Sequence, residues 1–182
     1  MALSRKVYEI TSKILHPTNY QFLESKLELA MTLGHNRTSC QESETLSREV
    51  LRVRGSMLAP DDEGVLHCMR SLAQVIEMQG KYDESEKIWR EVLLARSLSL
   101  GPEHLEVLTY VRSLCCSLFN QRKYVECETK IRQTLESLTK ILGPERMYLL
   151  RTTPIHKFYF QITIYRIYEF LALNALLFGI IG

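Results

Sequence analysis

Cysteine, histidine and arginine carry most of the chemistry this sequence could do. Cys40, Cys68, Cys115, Cys116 and Cys127 are potential nucleophiles, metal ligands or disulfide partners, and His16, His35, His67, His104 and His156 are potential acid–base groups or ligands. Spacing removes most of these options. No two cysteines form a Cys-x-x-Cys pair and the histidines are scattered, so no zinc site is indicated. There is no Gly-rich phosphate loop, no Gly-x-Ser-x-Gly, no His-Glu-x-x-His, and no His-x-Glu with a downstream cysteine pair. The expectation is a protein that is not an enzyme, with no metal and no cofactor. An odd cysteine count, and a start interrupted by Ser4, Arg5, Lys6 and Glu9 where an export segment would be apolar, predict free thiols and a cytoplasmic location.

The charges are balanced. In 182 residues there are 23 Lys+Arg against 21 Asp+Glu, a net charge of +2, with 46% hydrophobic residues, enough for one ordinary core. This balance argues against nucleic-acid binding, which draws its affinity from many clustered phosphate contacts. Any charged site must be local.

An internal repeat supplies the elements. Leu58-Ala59-Pro60, Leu100-Gly101-Pro102 and Leu142-Gly143-Pro144 recur every 42 residues. In the same step Gln41-Glu42-Ser43-Glu44 becomes Asp83-Glu84-Ser85-Glu86, and Arg48-Glu49-Val50-Leu51 becomes Arg90-Glu91-Val92-Leu93. Each unit reads as two helices: the proline sits at a first helical turn, where its missing N–H costs nothing, and Gly80 relaxes the turn inside the middle unit. Arg122 must manage the equivalent turn without glycine. The pairs Glu44/Arg48, Glu86/Arg90 and Glu128/Arg132 place one i,i+4 ion pair in every unit, which predicts a solvated outer face.

Met69-x-x-Leu72-Ala73-x-x-Ile76 followed by Ser85-x-x-x-Trp89, repeated as Val111-x-x-Leu114-Cys115-x-x-Leu118 followed by Cys127-x-x-x-Ile131, resembles the tetratricopeptide pattern. Lys26-x-x-Leu29-Ala30-x-x-Leu33 with Ser43 is a weaker first copy. The 42-residue unit with Leu100-Gly101-Pro102-Glu103-His104 is similar to the kinesin light chain type. The resemblance implies an all-α, right-handed superhelix of about three to four helix pairs whose inner groove, lined by the first helix of each unit, binds a peptide of a partner protein. Residues 1–150 form the array, with units at about 18–58, 59–100 and 101–142 and partial units at both ends.

Carried over by register, the groove residues of the middle unit are His67, Arg70, Gln74 and Glu77, and those of the next are Thr109, Arg112, Cys116, Phe119 and Asn120. Arg70, Gln74, Arg112, Cys116 and Asn120 are the candidate peptide-binding set. Arg70 and Arg112 are equivalent and could fork onto carboxylates of an acidic peptide, while Gln74 and Asn120 could bond its backbone. Paired asparagines usual in the family are replaced here by Arg70-Ser71 and Arg112-Ser113. Cys115 and Cys127 occupy positions where only small side chains fit, so packing explains them, and Cys116 alone stays open as a reactive thiol.

Both ends depart from the repeat. Val7 to Pro17 resembles the end of a second helix with no first helix before it, and Pro154 stops a fourth unit. The apolar tail, 151–182, carries seven aromatics after Pro154 and a single acid there, Glu169. It reads as a cap, a membrane anchor through 162–182, or a truncated continuation. Its clean apolar run, Phe170–Ile181, spans about 18 Å as a helix against a hydrocarbon core of about 30 Å, which disfavours the anchor. An interaction adaptor is therefore the leading expectation, with a self-associating repeat fragment or a tail-anchored adaptor as alternatives.

Overall fold

The computed structural model describes residues 2–34 and 36–142, and the tail and the opening of a fourth unit lie outside them. The described residues are all-α. Seven helices follow one another: α1 Ala2–Ile14, α2 Tyr20–Gly34, α3 Cys40–Met57, α4 Glu63–Met78, α5 Tyr82–Leu100, α6 Leu105–Asn120 and α7 Tyr124–Leu142. A single 3-10 turn, Arg37–Ser39, holds the extra residue between α2 and α3. The chain divides after Leu100 into two compact units, of which the described residues are 2–34 with 36–100, and 101–142.

The proline turns work differently from the expectation. Pro17, Pro60 and Pro102 do not enter the helices. Each sits in a tight turn closed by a backbone bond three residues apart: Asn19 N–H to His16 O (2.8 Å), Asp62 N–H to Ala59 O (3.0 Å) and His104 N–H to Gly101 O (3.2 Å). The residue two beyond each proline then caps the next helix. Asn19 Oδ1 accepts from Gln21 N–H (2.9 Å), Asp62 Oδ1 from Gly64 N–H (2.8 Å) and His104 Nδ1 from Glu106 N–H (3.3 Å), satisfying amides that the first turn leaves open. Proline's fixed φ favours the turn, and the polar residue after it begins the helix. Glu103 therefore lies before α6, and Glu106 is the acid in its first turn.

The pairs α4–α5 and α6–α7 are each joined by a left-handed close, in place of the 3-10 turn between α2 and α3. Lys81 N–H bonds Ile76 O (3.0 Å) while Gly80 N–H bonds Glu77 O (2.9 Å); Lys123 N–H to Leu118 O (2.9 Å) and Arg122 N–H to Phe119 O (3.0 Å) repeat it. Gly80 has φ +78° and Arg122 φ +61°. This six-to-one, five-to-two pattern satisfies the last carbonyls of α4 and α6 and turns the chain back on itself.

Packing follows the repeat. In the first unit Phe22, Leu23, Leu27, Val50 and Cys68 form one buried cluster and Leu29, Ala30, Leu33 and Leu46 another. In the following helices Leu72, Ala73, Ile76, Trp89 and Val92 are buried, and in the second compact unit Leu114, Cys115, Leu118, Cys127 and Ile131 are. The close approach of paired helices is tied by a bond from second helix to first: Ser43 Oγ to Ala30 O (2.5 Å), Ser85 Oγ to Ala73 O (3.2 Å) and Cys127 Sγ to Cys115 O (3.3 Å).

The ion pairs at Glu44 and Glu86 are not a solvated face, because both carboxylate residues are buried. At Glu44 the cause is the turn between α4 and α5, which lies against α3 at that height. Glu44 takes Arg48 Nε (2.9 Å) from its own helix and Lys81 Nζ (2.7 Å) from that turn, and Arg48 also reaches Glu84 (2.5 Å). Burial would raise the Glu44 carboxyl, but hydrogen bonds from Lys81, Gln79 and Arg48 outweigh it and hold the group below its usual value.

Candidate interaction face on the first helices

First helices of this kind have two unlike sides. On α4 the side carrying Leu72, Ala73, Val75 and Ile76 is buried, and the side carrying His67, Arg70, Gln74 and Glu77 is half-buried or exposed. The division arises because small and large apolar residues recur at i, i+3/i+4 and polar residues fill the places between them. On α6, Leu114, Cys115 and Leu118 are buried, whereas Thr109, Arg112 and Asn120 are exposed and Cys116 and Phe119 are half-buried.

In the first compact unit α2 packs along α4 as well as along α3. Its polar side meets that of α4. His67 is flanked by Arg70 on its own helix, by Glu24 and Glu28 of α2, and by Arg54 of α3. Burial and then the Arg70 charge lower the His67 pKa, with Glu24 and Glu28 pulling the other way, so the ring is held neutral at pH 7. The strip is therefore of mixed charge, cationic at Arg70 and anionic at Glu24 and Glu28.

Glu24 and Glu28 are functional candidates that the sequence reasoning missed. The register offered a signal for Glu24, which aligns with His67, but the weak first copy obscured it. Glu24 is also committed to the core arginine: Arg54, buried, donates to Glu24, to Gly64 O (3.2 Å) and to Cys68 Sγ (3.5 Å), and its guanidinium lies 5.2 Å from the Tyr20 ring centroid. Arg96 repeats the device with Glu63. These arginines fix helices; they are not open to a ligand.

The candidate set behaves unevenly. Gln74 and Arg112 are exposed, and Arg70 is half-buried beside His67. Asn120 is exposed but its Nδ2 donates to Cys116 O (2.8 Å), closing the last turn of α6. Cys116 is half-buried, and Cys40, Cys68, Cys115 and Cys127 are buried. Arg70 and Gln74 belong to the first compact unit, and Arg112, Cys116 and Asn120 to the second. Among the described residues no group of three or more His, Cys, Asp or Glu side chains could hold a metal ion, and no helix is long and apolar enough to cross a membrane.

Comparison with known proteins places this arrangement. Residues 65–106, from the first turn of α4 to the first turn of α6, match the tetratricopeptide repeat family model. No curated protein sequence matches the chain. Among solved structures, the nearly identical TPR-like repeats of a Podosopora anserina protein assigned as a kinesin light chain are similar over 95% of this chain and 82% of that one, at 21% identity and a TM-score of 0.78. A single-substitution variant of those repeats is similar over 96% and 84%, at 20% identity and a TM-score of 0.72.

Proposed function

We propose, from the premise that this chain is a tetratricopeptide repeat protein of the kinesin light chain-like type, that it is a non-catalytic cytoplasmic adaptor holding a peptide of a partner protein on its first helices. A repeat fold of this kind suggests a scaffold for protein–protein interaction. The observation that carries the reading is the polar strip of α2 and α4. Side chains with hydrogen-bonding capacity in both signs gather there beside a neutral imidazole, on helices whose opposite sides are spent on the core.

Arg70 and Arg112, at equivalent places in successive units, are assigned to carboxylates of the peptide, because a guanidinium binds a carboxylate through two parallel bonds. Gln74 is assigned to its backbone. Asn120 keeps one N–H on Cys116 O and offers its other N–H and its Oδ1, and Cys116 contributes a half-buried, polarizable contact.

The test is a set of fluorescein-labelled extended peptides graded in Asp and Glu content, read by anisotropy on the intact chain. The acidic members bind best, and the Arg70→Ala, Arg112→Ala double variant weakens them by about tenfold or more, as expected for losing charge-assisted bonds. Unchanged affinity in the double variant removes the ligand role of both arginines.

A further inference from the structure

Among the described residues helix α1 is a second helix with no first helix laid on it, and its contacts fix its register. Arg5 bonds Glu42 (3.0 Å) as Arg48 bonds Glu84, and Thr11 Oγ1 meets Ser25 Oγ (2.7 Å) where Arg54 meets Cys68. Residues of α1 and α3 that lie 43 apart are therefore equivalent. By that register Leu3, Val7 and Ile10 correspond to Leu46, Val50 and Val53.

The equivalent side chains have opposite fates. Leu46 and Val50 are 9% and 0% exposed, within clusters that also contain residues of α2, but Leu3 is 75% and Val7 42% exposed. Ile10 is exposed too, so Leu3, Val7 and Ile10 form an open apolar stripe with the 4-3 spacing of a helix–helix seam; Ile14 prolongs it at the helix end, where its counterpart Met57 is exposed on α3 as well.

The rim of this stripe says what fits it. Where α2 covers α3, Lys26 of α2 pairs with Glu49 of α3. The α1 counterpart of Glu49 is Lys6, and Lys13 follows it two turns later; both are exposed. Glu9, by the helical step of about 100° per residue, falls farther round the helix from the stripe than either lysine. The sign is reversed, so the covering helix needs a carboxylate where α2 has Lys26. A second copy of α1 would set lysine against lysine. The chain's own 155–182 segment carries one acid, Glu169.

We propose that the Leu3/Val7/Ile10/Ile14 face of α1 docks an acidic amphipathic helix of another protein, packed as α2 packs on α3. This surface is separate from the polar strip of α2 and α4, and the proposal stands whether or not that strip binds a peptide.

The probe is a synthetic peptide of residues 18–34, the stretch that covers α3, made in its native form and with the Lys26→Glu change, and titrated into the full chain by calorimetry. The Lys26→Glu peptide binds about fivefold tighter than the native peptide, the size expected for exchanging a surface repulsion for an exposed ion pair. Lys6→Glu in the chain reverses that order, and Val7→Asp, at an exposed site that leaves the circular dichroism unchanged, abolishes binding of both.

The proposal is overturned by equal affinities of the two peptides, by no binding of the Lys26→Glu peptide at about 1 mM, or by binding indifferent to Val7→Asp. It is equally overturned by a dimer in light scattering that Val7→Asp dissolves, which makes a second copy the occupant, or by binding seen only after residues 155–182 are removed, which makes that segment the occupant.

Discussion

Small side chains are required at the crossing of paired helices, where Ser43, Ser85 and Cys127 each send a side-chain bond to the partner helix's backbone. Cys127 is fully buried, and the Cys115 thiol beside it is pushed up by its hydrogen bonding with Cys127 and by burial, which keeps it protonated and inert. Cys127 thus acts as a slightly larger serine. Cys127→Ser should preserve the bond and change stability by less than about 1 kcal/mol, whereas Cys127→Leu, overfilling a fully buried crossing, should cost about 1–3 kcal/mol. Urea denaturation of the two variants checks this; equal losses would mean that the crossing tolerates bulk. The repeat register placed both cysteines at small-residue positions, so this role was legible before any coordinates. The role of Arg54 was not, because a buried arginine is recognised only by its partners Glu24, Gly64 and Cys68, which no local pattern links to it.

At the scale of the element, the turns set how well each helix pair closes. Gly80 and Arg122 hold the same left-handed place, with φ +78° and +61°. A side chain with a Cβ is strained there by roughly 1–2 kcal/mol, whereas glycine adopts it freely. Arg122→Gly should therefore stabilise the second compact unit, by about 1 kcal/mol after the added flexibility of the unfolded chain is offset, and Gly80→Ala should destabilise the first by a similar amount. Thermal unfolding followed by circular dichroism distinguishes the two signs, and a destabilised Arg122→Gly variant would contradict the argument. Helix pairing, the internal turns and the 42-residue step were all readable from apolar spacing and recurrence. The proline was misplaced by one turn. Its fixed φ suits a first helical turn and a tight turn equally well, and the capping atoms of Asn19, Asp62 and His104 are what decide between them. The solvated outer face was misread at Glu44 and Glu86, though not at the exposed Glu128–Arg132 pair, since an i,i+4 pair looks the same in sequence whether or not a neighbouring element covers it, as Lys81 covers Glu44.

For the whole molecule, stability should fall in two steps on acidification, because two groups bind protons less readily folded than unfolded. His67 has its pKa lowered from 6.5, by burial and by Arg70 against the pull of Glu24 and Glu28, so below about pH 6.5 the unfolded chain takes up a proton that the folded ring resists. Glu44 has its pKa lowered from 4.5 by Lys81, Gln79 and Arg48 against its own burial, so its contribution is complete above that value and is lost as pH falls through the lower, folded value. Both shifts make the unfolded state the better proton binder, and both therefore give stability that rises with pH. Urea midpoints measured at about pH 7.5, 5.5 and 3.5 should descend in that order. His67→Gln should flatten the upper interval and Glu44→Gln the lower one, although Glu44→Gln also starts lower at neutral pH because Lys81 and Arg48 lose their shared carboxylate. The two variants act in separate pH windows, so each flattening identifies its group independently of the other. A His67→Gln chain that kept the full descent across the upper interval would show that the imidazole is not the group resisting protonation, and would separate it from the electrostatics of the polar strip.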